Sequence, residues 1–195
     1  MAIFSAKTLI GGLALLHISL AFFFITNPSV IEGQSLVYVI GEAMGMPQAG
    51  NAFSTPSPAS ALTGVVLLVL GLTDLTTLST PPEAWLLSHW PAQAPLRVFL
   101  FALLAIGVFA TAPATAAPRS DPASRLSHPR TPWVGATYGT AAGGAEALRN
   151  RVLFTFAFVE FVAWYWLWTV VRDEAGALVA QKLEKAERER LDRLD

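Results

Sequence analysis

Residues 152–171 read VLFTFAFVEFVAWYWLWTVV, a run whose single formal charge is Glu160. A helix of that length rises about 30 Å at 1.5 Å per residue, the thickness of a bilayer's hydrocarbon core. Apolar side chains occupy every face, so no side of it suits water. The stretch reads as a membrane span.

The rest of the chain fits that reading. Of 195 residues, 53% are hydrophobic and 14% charged, where a soluble domain carries roughly 25% charged. Thirteen of the 27 formal charges lie in the last 24 residues, from Arg172 to Asp195. This excludes a soluble domain with charge spread over its surface, and also a disordered chain, which needs low hydrophobicity. A net charge of −1 supplies no field for nucleic acid, so no nucleic-acid partner is expected. The absence of cysteine excludes disulfide frameworks, thiolate metal sites and cysteine nucleophiles.

Three more spans follow by the same criterion. Residues 9–26 hold LIGGLALLHISLAFFFI, closed by Asn27-Pro28; residues 61–79 hold ALTGVVLLVLGLTDLTTLS; residues 96–112 hold LRVFLFALLAIGVFATA. The first reads as a retained anchor, because its apolar run is longer than a signal peptide's and no small-x-small site follows. The sequence therefore predicts an all-α membrane protein with four transmembrane helices over residues 1–175, and a charged cytosolic helix over 176–195. Residues 28–46 predict an interfacial amphipathic helix, with Val30, Gly33, Val37, Ile40 and Met44 on one stripe and Glu32, Ser35 and Glu42 on another. A re-entrant segment is the alternative. Residues 113–148, rich in Ala, Pro, Ser, Thr and Gly, predict a flexible loop.

Four spans place both termini and the 80–95 connection on one side, with Lys7, Arg97, Arg172, Lys182, Lys185, Arg188, Arg190 and Arg193. The other side has Arg119, Arg125, Arg130, Arg149 and Arg151. The excess of bases predicts cytosolic termini. Trp85 and Trp90, in the short connection, and Trp164, Trp166 and Trp168 suggest an aromatic belt, with plain packing an equal reading for Trp164.

The polar groups placed in lipid are His17, Asp74, Arg97 and Glu160. An ionised side chain at mid-bilayer costs about 2.5–3.5 kcal/mol on insertion scales, so each needs a partner, water or a changed protonation state. Small residues flank them: Ala14 and Ala21 beside His17, Gly64 and Gly71 beside Asp74, Ala157 and Ala163 beside Glu160. Such faces let helices approach closely. These groups can lock helices together, or His17 and Glu160 can serve a small ion channel or transporter. Arg97 opens its span at the depth of Asp74, which predicts an ion pair between spans two and three, taken as antiparallel neighbours. No catalytic motif, metal-ligand spacing or cofactor loop is present, so no enzyme, metal or cofactor is expected.

The motifs EAMGMPQ (42–48), GLTDL (71–75), PLRVFLFALL (95–104), FVEFV (158–162) and VVRDE (170–174) come in an order that resembles the fungal "increased loss of mitochondrial DNA" family. The match takes in Glu42, Ala43, Met44, Pro47, Gln48, Asp74, Arg97 and Glu160 over residues 9–111 and 150–175. The 112–146 loop is longer than the family usually has, and the tail lacks a strongly acidic extension. The resemblance implies a small four-span protein of the endoplasmic reticulum membrane, indirectly linked to mitochondrial DNA maintenance. With the close-packing faces and the charged tail, it implies a non-enzymatic scaffold or accessory subunit. Its partners would be the lipid bilayer and another membrane protein.

Overall fold

A computed structural model describes residues 4–110 and 148–193. The loop expected at 113–148 lies outside these residues, except for Leu148. The described residues are helical, without strands. Four helices are long and apolar enough to cross a membrane: Ala6–Thr26, Pro58–Thr77, Pro82–Ala110 and Arg151–Leu191. We label the α-helical segments α1 (Ala6–Thr26), α2 (Ser29–Glu32), α3 (Ser35–Ala43), α4 (Pro58–Thr77), α5 (Pro82–Ala84), α6 (Trp90–Ala110) and α7 (Arg151–Leu191).

Local chemistry sets the helix ends. Ser5 caps α1 by accepting from Thr8 N–H, and Asn27 leaves helical geometry where the Asn27-Pro28 stop was expected. Ser57 and Ser60 form a reciprocal capping box at α4, with Pro58 at the first helical position. Asn150 caps α7 by accepting from Leu153 N–H.

The bundle is built from two helix pairs. α1 packs along α4, and α6 packs along α7; α1 and α7 then join the pairs. The expectation that spans two and three pack as neighbours fails, because the short connection leads through α5 into a turn of helix, Trp85–His89, that packs onto α7 instead. Glycine sets the first pairing. A Cβ on Gly71 would lie 2.8 Å from the Ala14 carbonyl oxygen, and one on Gly64 would lie 2.9 Å from that of Ala21. The backbones thus meet without intervening side chains.

Three expected boundaries are corrected. The third long helix starts at Pro82 and runs through a π-turn, Trp85–His89, with Trp90 N–H donating to the Trp85 carbonyl. Its first turns carry Trp85, Leu86, Trp90 and Ala94, all buried against α1 and α7. That burial outweighs the breaking effect of Pro91 and Pro95, and places Trp85 and Trp90 in the core rather than in a belt. The 28–46 segment is two short helices, because Gln34 takes an extended conformation (ψ 135°) between them. The break rotates the second half: Ile31, Val37 and Gly41 face inward, while Gly33 and Met44 are exposed. Finally, α7 is one helix of 41 residues, about 60 Å at 1.5 Å per residue. The change near residue 176 is one of composition, since Ala, Leu, Glu, Lys and Arg all propagate a helix.

Two contacts fix one end of the bundle. Ala6 N–H donates to Glu174 Oε1 at 2.8 Å, and Lys182 Nζ lies 3.0 Å from Glu83 Oε1. The start of α1, the α4–α5 connection and the charged end of α7 therefore share one side. The start of α7 meets α3 at the other.

Candidate functional site

All four sequence-predicted intramembrane polar residues meet in the seam between the helix pairs. Arg97 on α6 donates from Nη1 to Asp74 Oδ2 at 2.7 Å and from Nη2 to Oδ1 at 2.8 Å. This parallel fork is the strongest arrangement available to a guanidinium and a carboxylate. Asp74 is 2% exposed, so the expected pair forms with an acid sealed from solvent. Its partner arrives from the opposite helix pair and reaches across the seam.

The second carboxylate is buried more deeply. Glu160 is fully buried, with His17 Nε2 3.0 Å from its Oε1 and Trp164 Nε1–H donating to its Oε2 at 2.7 Å. His17 comes from α1; Trp164 lies one turn along α7 from Glu160. Each carboxylate oxygen thus has a partner, as a buried acid requires. The other imidazole nitrogen, His17 Nδ1, has no partner among the described residues.

Trp164 connects the two clusters. Its ring lies 4.4 Å beneath the Arg97 guanidinium carbon and stacks on Trp90 at 5.5 Å and 17°. A guanidinium held over an indole face gains about 0.5–2 kcal/mol, more as water is excluded. The order Asp74–Arg97–Trp164–Glu160–His17 therefore takes in α4, α6, α7 and α1. Sequence reasoning missed Trp164 as the link. Its spacing of four from Glu160 puts both on one helix face, which was the available signal.

The EAMGMPQ motif builds a separate structure at the other end. Helix α3 closes with Gly45 at φ +64° and with Met46 N–H donating to the Gly41 carbonyl at 2.8 Å. That is the left-handed cap a glycine permits. Arg151, at the start of α7, then clasps the turn. Its backbone N–H donates to the Pro47 carbonyl and its Nε to the Met46 carbonyl, while Nη2 pairs with Glu42 Oε2. A Cβ on Gly41 would collide with the aliphatic part of Arg151. Met46 is buried, whereas Ala43, Met44 and Gln48 are exposed. Neither Arg151 nor Gly41 was singled out by the sequence. A base at the start of an apolar run reads as a flank, and its acceptors are mostly backbone oxygens, which leave no mark in composition.

This arrangement holds helices in register. Both intramembrane carboxylates are engaged on both oxygens, and among the described residues no group of three His, Asp or Glu side chains could hold a metal ion. The search of curated proteins and that of solved structures return no match to this chain. A family profile, increased loss of mitochondrial DNA protein 1, matches residues 4–181 and so takes in the first three long helices, the fourth as far as residue 181, the Arg151 clasp and the whole polar seam. On that match across nearly its whole length, the chain belongs to the increased loss of mitochondrial DNA protein 1 family.

Proposed function

We propose that this protein is a non-enzymatic scaffold or accessory subunit of the endoplasmic reticulum membrane, with cytosolic termini and an indirect effect on mitochondrial DNA maintenance. One observation carries the reading: the seam's acids are spent on holding helices together. Asp74 is satisfied by Arg97, and Glu160 by His17 and Trp164. An acid serving transport has to release its partners and meet solvent in turn. The charged end of α7 supports a partner-facing role, since residues 184–193 are exposed. In this orientation α2 and α3 lie at the lumenal interface.

Purification of the full chain in mild detergent tests the proposal. A membrane protein recovered at fixed stoichiometry, and retained when the chain's abundance is varied, is the expected result. Solute flux through the pure protein in liposomes, abolished by Glu160→Gln, would overturn it and establish a channel or transporter.

A further inference from the structure

Two grooves differ in chemistry. One, of about 410 Å³, runs between α1 and α7 past Leu9, Gly12, Leu13 and Trp166 and is almost wholly apolar, as a surface facing lipid tails should be. The other, of about 670 Å³, lies at the opposite end, between α2, α3 and the residues after the motif. It is open to the surface, and polar and apolar side chains both line it.

Of the polar side chains in this second cleft, Ser29 donates its hydroxyl to Asn27 Oδ1 at 2.6 Å, and the other four have their polar atoms uncommitted among the described residues. Glu32, Ser35, Tyr38 and Gln48 line it, and none of their side chains makes a hydrogen bond or ion pair among the described residues. Gln48 belongs to the EAMGMPQ motif, whose other polar side chain, that of Glu42, is held by Arg151. Glu32 is partly buried and is the only formal charge in the lining. Arg151, the cation nearby, is already engaged by Glu42, the Met46 carbonyl and the Tyr38 ring. Apart from the engaged Ser29, the cleft therefore has one unneutralised carboxylate beside two free hydroxyls and an amide, the last three able to donate to an anion. Leu36 and Val39, next to it on α3, are 55% and 61% exposed.

We propose that this cleft seats a phosphoethanolamine group, the headgroup of phosphatidylethanolamine. The ammonium sits on Glu32, and the phosphate oxygens accept from Ser35, Tyr38 and Gln48. Leu36 and Val39 meet the upper part of the acyl chains. The lipid source rests on the reading above that this end of the bundle lies at the membrane surface.

Native mass spectrometry of the full chain, released from nanodiscs of defined composition, tests the proposal. From discs containing phosphatidylethanolamine, one such lipid should remain bound per chain. Phosphatidylglycerol, which lacks the amine, should not remain. Glu32→Gln should weaken retention about tenfold, the effect of losing one charged hydrogen bond, and Gln48→Ala should weaken it less. Neither side chain makes a bond in the fold, so both variants should keep the melting temperature of the parent. Equal retention of phosphatidylglycerol, or unchanged retention by Glu32→Gln, would overturn the site. Displacement by soluble phosphoethanolamine would keep the chemistry and overturn the lipid source. Flux through the pure protein would overturn the scaffold role alone, and so is distinguishable from either.

Discussion

The Arg97 guanidinium and the Asp74 carboxylate are joined by two hydrogen bonds of 2.7 and 2.8 Å across helices that do not run against each other. The pair therefore acts as a tie between two helix pairs. Its two ends differ in their access to water. Asp74 is 2% exposed, whereas the Arg97 side chain is 18% exposed and long enough to reach toward the interface.

That difference predicts unequal losses. Arg97→Gln strands a buried acid, while Asp74→Asn leaves a cation that can move toward water and keep its place over Trp164. Breaking a buried pair by removing one partner costs about 3–5 kcal/mol, and Arg97→Gln should sit at that level, with Asp74→Asn below it. The double variant should be more stable than Arg97→Gln alone, because no uncompensated charge remains. Thermal stability in detergent of the four proteins checks this. Additive losses would show that the two groups do not interact.

Much of this tie was legible in the sequence, because the two residues sit at matching depths in adjacent spans. Which helices pack was not. In water, a buried indole differs from its surroundings; in a bilayer, lipid tails are as apolar as a protein core. Hydropathy therefore cannot tell Trp90 of α6, buried against α7, from Trp166, which is half exposed. Loop length misled for a related reason. The connection after α4 is short in sequence, but its first turns carry Trp85 and Leu86 to α7. The pairing of α1 with α4 was written in small residues alone, at Gly64 and Gly71 against Ala14 and Ala21.

Those glycines give a graded test. Gly71→Ala puts a methyl 2.8 Å from the Ala14 carbonyl and the Ile18 side chain, and should cost about 1–3 kcal/mol by forcing α1 and α4 apart. Gly107 and Gly12 are also in long apolar helices, but a Cβ there meets nothing. Gly107→Ala and Gly12→Ala should be neutral or gain about 0.5–1 kcal/mol from lower backbone entropy in the unfolded chain. Melting temperatures in one detergent rank the three. Equal effects at all three positions would refute the close approach of α1 and α4.

Glu160 should be replaceable in shape but not in hydrogen bonding. Gln keeps an acceptor for Trp164 Nε1–H and a polar group beside His17, so Glu160→Gln should cost about 1 kcal/mol. Glu160→Ala leaves two buried polar groups without partners at about 1–3 kcal/mol each, besides a cavity. Trp164→Phe removes one bond while keeping a ring for Trp90 and Arg97, and should fall between the two. A Glu160→Ala protein as stable as Glu160→Gln in thermal unfolding would show that the acid holds nothing in place.

Membrane orientation follows from the two contacts that close one end of the bundle. Ala6 N–H on Glu174 and Lys182 on Glu83 tie the start of α1, the α4–α5 connection and the charged end of α7 together, so these must report one compartment. The orientation proposed above, from the excess of bases, puts that end in the cytosol. The natural sequence has no usable acceptor, because Asn27-Pro28-Ser29 carries the forbidden proline. Any glycan will therefore come from an introduced Asn-x-Ser/Thr site. One placed within 115–135 should be glycosylated, and the glycan should stay sensitive to endoglycosidase H if the protein remains in the endoplasmic reticulum. Sites added before Ser5, or after Asp195, should both stay bare. Glycosylation of the two terminal sites with none in 115–135 would invert the orientation while leaving the fold intact. Modification of only one terminus would break the shared end itself, and with it the Ala6–Glu174 contact.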